Sequence, residues 1–297
     1  MTPEPALALD GLVVDAAYRY RRGFDETFLG LRVPLPVLDA TRAADVAAPA
    51  DSPDGVLRYH HFSVVMSRSR RFAIYSAANL DGKRRFAQTR AGDRWIVDIR
   101  LPDGQVDNHL YAHNDLDRGH LTRRADMLWG DTLAEAVASV ADTFHYTNCV
   151  PQHRLFNQSE LTWQGLEDYL LSVVADRRLR ADVYTGPVFA ADDPLYRGVR
   201  LPRSFWKVVA AGAEESKLHA TAYLLAQEDL VEHFEGVVEE PPFGAYRTYQ
   251  TSVRDIEAST GLDFGELRDH DPYEQGRFVD APPQGRLPLK GLGDVVI

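Results

Sequence analysis

The chain has 297 residues, 44% hydrophobic and 26% charged, which suffices for one large core or two small ones. A formal net charge of −11 excludes a protein that holds polyanions through its overall charge alone. The single cysteine, Cys149, excludes an intramolecular disulfide, and no apolar run is long enough for a membrane-spanning helix.

Residues 1–55 read as an N-terminal arm. Met1–Asp10 shows no basic-then-apolar leader, so a cytoplasmic location and no membrane partner are expected. Val13–Tyr20 has the spacing of a short helix. Pro34, Pro36, Pro49 and Pro53 predict an extended arm on the domain or a linker. Arg19, Arg21 and Arg22 read as surface charge, with phosphate contact as the alternative. From Leu57 the pattern changes. Tyr59–Met66 alternates, with Phe62, Val64 and Met66 on one face, and Phe72–Ala78 returns after a polar turn at Ser67–Arg70. Asn79-Leu80-Asp81-Gly82 is expected to end that hairpin. Arg68–Arg100 holds nine Lys/Arg against three Asp (+6), and Glu228–Ile297 holds six against fifteen Asp/Glu (−9). The negative sum therefore leaves room for a locally basic groove. Cys149, inside a predicted strand, reads as a buried apolar residue.

Asn108–Leu116 reads as a loop. It carries His109 and His113, which with His120 would suit a zinc site, but its turn-like residues and the lack of an HExxH pattern argue against one. The loop leads into Asp117-Arg118-Gly119-His120. Leu133, Val137 and Val140 mark a short helix, and Phe144–Val150 reads as a strand stopped by Pro151. Within and after it come Thr147-Asn148-Cys149-Val150-Pro151-Gln152 and Phe156-Asn157-Gln158. Trp163, Leu166, Leu170, Val173 and Val174 then recur at helical spacing, with Glu167 at the edge of the stripe.

These residue types suit phosphodiester chemistry. An imidazole titrating near neutrality can take a proton from water, a guanidinium can fork onto phosphate, and an amide oxygen can hold a hydrated hard cation. Each residue alone has a plainer reading. His120 would be a core histidine, Asn157 a turn former, Glu167 an exposed helix glutamate, and Arg118 a surface ion pair. Arg94 would simply pair with Asp93 or Asp98.

Taken in order, DRGH, TNxxPQ, FNQ and WxxLE resemble the DNA/RNA non-specific endonucleases, whose core is a ββα-metal unit. The resemblance extends from about Leu57 to Phe264. It implies His120 as general base, Asn157 as the direct metal ligand and Glu167 as holder of metal-bound water. It further implies Arg118 and Arg94 on phosphate, with Arg90 the alternative to Arg94, and Asn148 and Asp117 supporting the site from behind. One departure stands: ten positions separate Asn157 from Glu167, two more than in the matched family members.

The remaining segments predict strands at Val183–Phe189, Phe205–Ala211, Thr221–Gln227 and Thr248–Val253, then a helix over Asp255–Ser259 stopped near Gly261. The expected fold is α+β, a mainly antiparallel central sheet flanked by helices, with an arm (1–55), a catalytic domain (56–268) and a C-terminal tail (269–297). The expected activity is endonucleolytic cleavage of DNA and/or RNA that uses Mg²⁺, with Mn²⁺ as substitute, and leaves 5′-phosphate ends. The alternative is a silent or inhibitor-controlled nucleic-acid-binding module. Expected partners are nucleic acid, an inhibitor protein, and a second copy in a homodimer.

Overall fold

A computed structural model describes residues 7–9, 12–15, 18–49, 52–87, 94–154, 163–212, 218–227, 231, 247–273 and 287–288. The strands are, in chain order, β1 (Leu7–Leu9), β2 (Leu12–Asp15), β3 (Val37–Leu38), β4 (Val56–Arg58), β5 (Phe62–Met66), β6 (Ala73–Asp81), β7 (Ile96–Asp98), β8 (Leu116–His120) and β9 (Cys149–His153). They continue as β10 (Arg180–Val188), β11 (Leu195–Tyr196), β12 (Val199–Arg200), β13 (Ser204–Gly212), β14 (Leu218–Ala226), β15 (Arg247–Thr251), β16 (Leu262–Asp263) and β17 (Leu287–Pro288). The α-helices are α1 (Ala40–Ala44), α2 (Asn108–Tyr111), α3 (Leu133–Asp142), α4 (Trp163–Asp176) and α5 (Val253–Thr260).

The centre is an antiparallel eight-stranded sheet in the order β17-β15-β14-β13-β10-β6-β5-β4. Its middle strands are buried along nearly their whole length, because both faces are covered. Side chains alternate between those faces. Tyr184 and Trp206 project to one, where their rings meet Phe264 at 5.6 Å and Tyr184 meets Phe24 at 5.5 Å. Thr185 and its partner Lys207 project to the other, as does Ser76, which pairs with Thr185. That second face is the one the functional residues occupy. α4 lies against it so closely that a Cβ on Gly82 would meet the Val174 carbonyl oxygen at 2.0 Å.

Several local expectations shift. Val13–Tyr20 is not a helix: β2 pairs in parallel with β7, and a 3-10 turn follows at Tyr18–Tyr20. β6 runs on through Asn79 to Asp81, since Asn79 and Leu80 still have ladder partners in β10. Asn108–Tyr111 makes one helical turn, capped by the Asp107 carboxylate, which accepts from the His109 amide at 2.8 Å. Tyr18, Phe24 and Val33 enter the main core, so residues 18–49 pack on the sheet. α5 follows the sequence closely. Ser252 and Asp255 form a reciprocal capping box, and Gly261 ends the helix at φ +75°, a left-handed conformation glycine adopts without cost.

One buried acid stands out. Asp182 in β10 accepts from Asn79 Nδ2 at 2.7 Å through Oδ1, while its buried Oδ2 has no hydrogen-bond partner among the described residues. Burial pushes this carboxyl up to about 8.

Candidate active site

β8 and β9 form a separate two-stranded ribbon. Its register pairs Arg118 with Pro151, Gly119 with Val150, and His120 with Cys149. The second strand therefore spans Cys149–His153 rather than Phe144–Val150. Pro151 does not stop it, because a ribbon tolerates proline where the ladder asks no N–H of that position. Residues 146–148 are instead a 3-10 turn that delivers Asn148. The Asn148 side chain is fully buried and clamps the chain just past His120. Its Oδ1 accepts from the Thr122 amide at 3.0 Å, and its Nδ2 donates to the carbonyls of Thr122 and Thr143 at 2.8 and 2.9 Å.

Gly119 has a steric reason. It lies in a strand with no positive φ, so it makes no special turn. A Cβ there would meet the Gln152 side chain at 2.2 Å. The glycine keeps space for the buried Gln152 side chain.

His120 sits in an aromatic clamp. The Trp95 ring lies 4.9 Å away, and the Phe144 ring lies 5.0 Å away, edge-on at 85°. Its Nε2 is buried and takes no hydrogen bond from a described residue. Burial, then the charges of Arg124, Arg123 and Arg118, push the imidazole down to about 3, against Asp126. The ring is therefore neutral near pH 7 and able to accept a proton. An incoming phosphate would offset those arginines and raise its basicity.

Arg118 projects from the same side of β8 as His120. Its Nη1 donates to Asn108 Oδ1 at 2.6 Å, and its guanidinium carbon lies 5.3 Å from the Trp95 ring centroid. Arg94 is exposed and immediately precedes Trp95, so it stands at the rim of the clamp. Arg90 and Asn157 lie outside the described residues. Asp117 projects from the opposite face of β8, where its charge bears on His153.

Glu167 is buried on α4, not exposed. Lys207 Nζ donates to its Oε1 at 3.0 Å, and Arg123 Nε lies 3.4 Å from its Oε2. Arg123 also donates to the Glu167 backbone oxygen at 2.9 Å and pairs with Asp126 and Asp168. Burial raises the Glu167 carboxyl, while Lys207 and Arg123 pull it back. Arg123 thus joins the turn after His120 to the glutamate helix. The sequence pointed to neither Lys207 nor the clamp residues Trp95 and Phe144. A lone lysine within the apolar run Phe205–Ala211 was the available signal for the first.

No three His, Cys, Asp or Glu side chains converge on one point among the described residues. A cation at this site would keep most of its water, as Mg²⁺ does. Glu167 Oε2, whose contact with Arg123 is the longer of the two, is the carboxylate oxygen suited to such a water. His109 is exposed and pairs with Asp107, and His113 has a φ of +56° on its own turn. The Cys149 thiol is buried and pushed up to about 12, which makes it inert.

Comparison with known proteins gives the same direction. The chain is 38% identical over 292 residues to the uncharacterized protein y4fB of Sinorhizobium fredii (strain NBRC 101917 / NGR234), a match covering 93% of this chain and 42% of that protein. It is 28% identical over 179 residues to a nuclease of Nostoc sp. (strain PCC 7120 / SAG 25.82 / UTEX 2576), covering 58% of this chain and 59% of that one. This chain thus spans about half the length of these relatives. A chain in the crystal structure of the EndoG/EndoGI complex superposes with a TM-score of 0.53 at 18% identity, covering 70% of this chain and 84% of that one, a likeness of fold. Residues 40–270 match the model of the DNA/RNA non-specific endonucleases, and the chain belongs to that family.

Proposed function

We propose that this chain is a metal-dependent endonuclease acting on DNA and/or RNA, with His120 as its general base. The observation that carries the proposal is the buried, neutral imidazole whose Nε2 has no partner among the described residues, set beside Arg118 on one ribbon. Nε2 takes the proton of an attacking water as the water oxygen bonds to phosphorus. The bond from phosphorus to the 3′ oxygen breaks, and that oxygen takes a proton from a solvent water, leaving a 5′-phosphate and a 3′-hydroxyl. Arg118 holds a phosphate oxygen, and Arg94 at the rim reaches the same group. Trp95 and Phe144 fix the ring plane and exclude bulk water from it. Asn148, by clamping Thr122, sets where the strand ends and so where Nε2 points. Asp117 supports the ribbon from its other face.

A divalent cation, Mg²⁺ with Mn²⁺ able to replace it, would neutralise charge on the phosphoryl oxygens. Asn157 is the residue assigned to hold it, and Glu167 the one assigned to its water. The catalytic unit is proposed as 56–268, flanked by an arm and a tail. We likewise propose an inhibitor protein, a homodimer and a cytoplasmic location.

Asn157→Ala tests the metal assignment. Cleavage falls, and raising Mg²⁺ or Mn²⁺ restores part of it, because the lost ligand weakens binding without removing the base. Metal titration followed by calorimetry gives a weaker affinity for the variant. An unchanged affinity removes Asn157 from the metal.

A further inference from the structure

Beyond Trp95 the chain runs through β7 into a second basic site. Tyr18, Arg19, Arg21, Arg58, Ile99 and Arg100 line a cavity of about 390 Å³. Three of its guanidiniums are paired with carboxylates. Arg21 donates to both carboxylate oxygens of Asp142 at 2.7 to 2.9 Å. Arg100 does the same to Asp98 at 2.6 to 3.2 Å, and its guanidinium carbon lies 4.0 Å from the Tyr18 ring centroid. Arg58 donates to Asp54 at 2.6 Å. Asp98 and Asp142 are buried and do not line the cavity, so a ligand meets guanidinium rather than carboxylate.

Arg19 differs from the other three. It is exposed and makes no ion pair among the described residues, and its guanidinium carbon lies 4.8 Å from the ring centroid of Tyr20. Tyr20 is itself 58% exposed, and Ile99 is 40% exposed. An arginine beside an exposed ring is the pairing that holds a phosphate and stacks a base.

Charge and order narrow the ligand. Four guanidiniums stand against three carboxylates, those of Asp54, Asp98 and Asp142, which leaves one positive charge, carried by Arg19. One excess charge matches the single negative charge of an internucleotide phosphodiester better than a free phosphate dianion. Arg21 and Arg100, both nearly inaccessible and bonded to both oxygens of their partners, have already lost their rotamer freedom, so binding need not order them.

The pocket is tied to the base by two routes. Trp95 touches His120, and Ile99 lies four residues further along the chain, just past the end of β7. Phe144 touches His120, and the next residue, His145, accepts the Tyr18 hydroxyl at 3.0 Å while its Nδ1 donates to the Asp142 carbonyl at 2.8 Å.

We propose that this arginine pocket, with Tyr20 at its rim, binds a distal phosphodiester of the strand whose scissile phosphate lies at His120. The proposal rests on the nuclease reading above and adds a second anchor to it.

The test uses the full chain carrying His120→Ala, so that nucleic acid binds without turnover. Anisotropy of labelled single strands of about 4 and about 16 nucleotides is read across a salt series. Adding Arg19→Ala weakens the longer strand about tenfold, lowers its salt slope by about one, and leaves the shorter strand much less affected. Adding Tyr20→Ala weakens the longer strand about tenfold by loss of a stacked base. Both side chains are exposed, so an unchanged melting temperature confirms the fold. Unchanged affinity for the longer strand in Arg19→Ala overturns the proposal, as does equal loss on both lengths. Competition by micromolar inorganic phosphate overturns it too, since that marks a free-anion site. If the unsubstituted chain cuts nothing yet the length-dependent loss is seen, the nuclease reading falls and the anchor stands. If the chain cuts and long-strand binding ignores Arg19, the anchor alone falls.

Discussion

His120→Ala lowers phosphodiester cleavage by about 10²- to 10⁴-fold, or about 3 to 5 kcal/mol in the barrier, while nucleic acid remains bound. The size follows from what the site offers in place of the ring. Trp95 and Phe144 are apolar walls, and neither can take a proton. Arg118 is cationic and cannot act as a base. Alanine leaves the ribbon intact, because Asn148 holds the turn through backbone groups. The loss therefore falls on turnover and not on binding. Single-turnover cleavage beside equilibrium binding in EDTA separates the two. Near-normal cleavage by the variant would end the assignment. In the unsubstituted enzyme the acidic limb of kcat/KM lies well below the ordinary imidazole value of 6.5, because the free site holds His120 down at about 3.

Lys207→Met destabilises the fold by about 3 to 5 kcal/mol near neutral pH. Lys207 and Glu167 are both nearly inaccessible, and the methionine removes the ammonium from Oε1 while Arg123 stays 3.4 Å from Oε2. The Glu167 carboxyl is already raised above 4.5 by burial, and losing the ammonium raises it further. A carboxyl whose folded value exceeds its unfolded value binds its proton more tightly when folded. The penalty is therefore small at or below pH 4.5 and grows as pH rises toward the new folded value. Denaturant melts at acid and neutral pH measure that slope. Pairing the change with Glu167→Gln recovers most of the loss, since no buried charge then remains. A pH-independent loss would mean that packing, and not charge, is what Lys207 contributes.

The sequence made the DRGH motif and the Glu167 helix readable because each is a short continuous run, and the helix carries regular apolar spacing. The long strands of the sheet were readable for the same reason. The aromatic clamp was not, since Trp95 and Phe144 reach His120 from separate segments and no local pattern joins them. Lys207 was hidden by the ordinary habit of lysine to face water. Pro151 misplaced the second ribbon strand, because its usual role as a stop gave way to a position that asks for no amide. Arg21 looked like surface charge, yet its partner Asp142 lies far along the chain at the end of α3. For Asn157, order within the motif is all that supports the assignment.

The acid in the middle of the sheet ties the whole molecule to its surroundings. Asp182 keeps its proton up to about 8 in the folded chain but releases it near 3.8 once unfolded. Between those values the chain takes a hydrogen ion from solution each time it folds, so this acid makes stability fall as the pH rises from 3.8 to about 8. Calorimetric unfolding near neutrality accordingly carries the ionisation heat of the surrounding buffer, and phosphate and Tris give different apparent enthalpies.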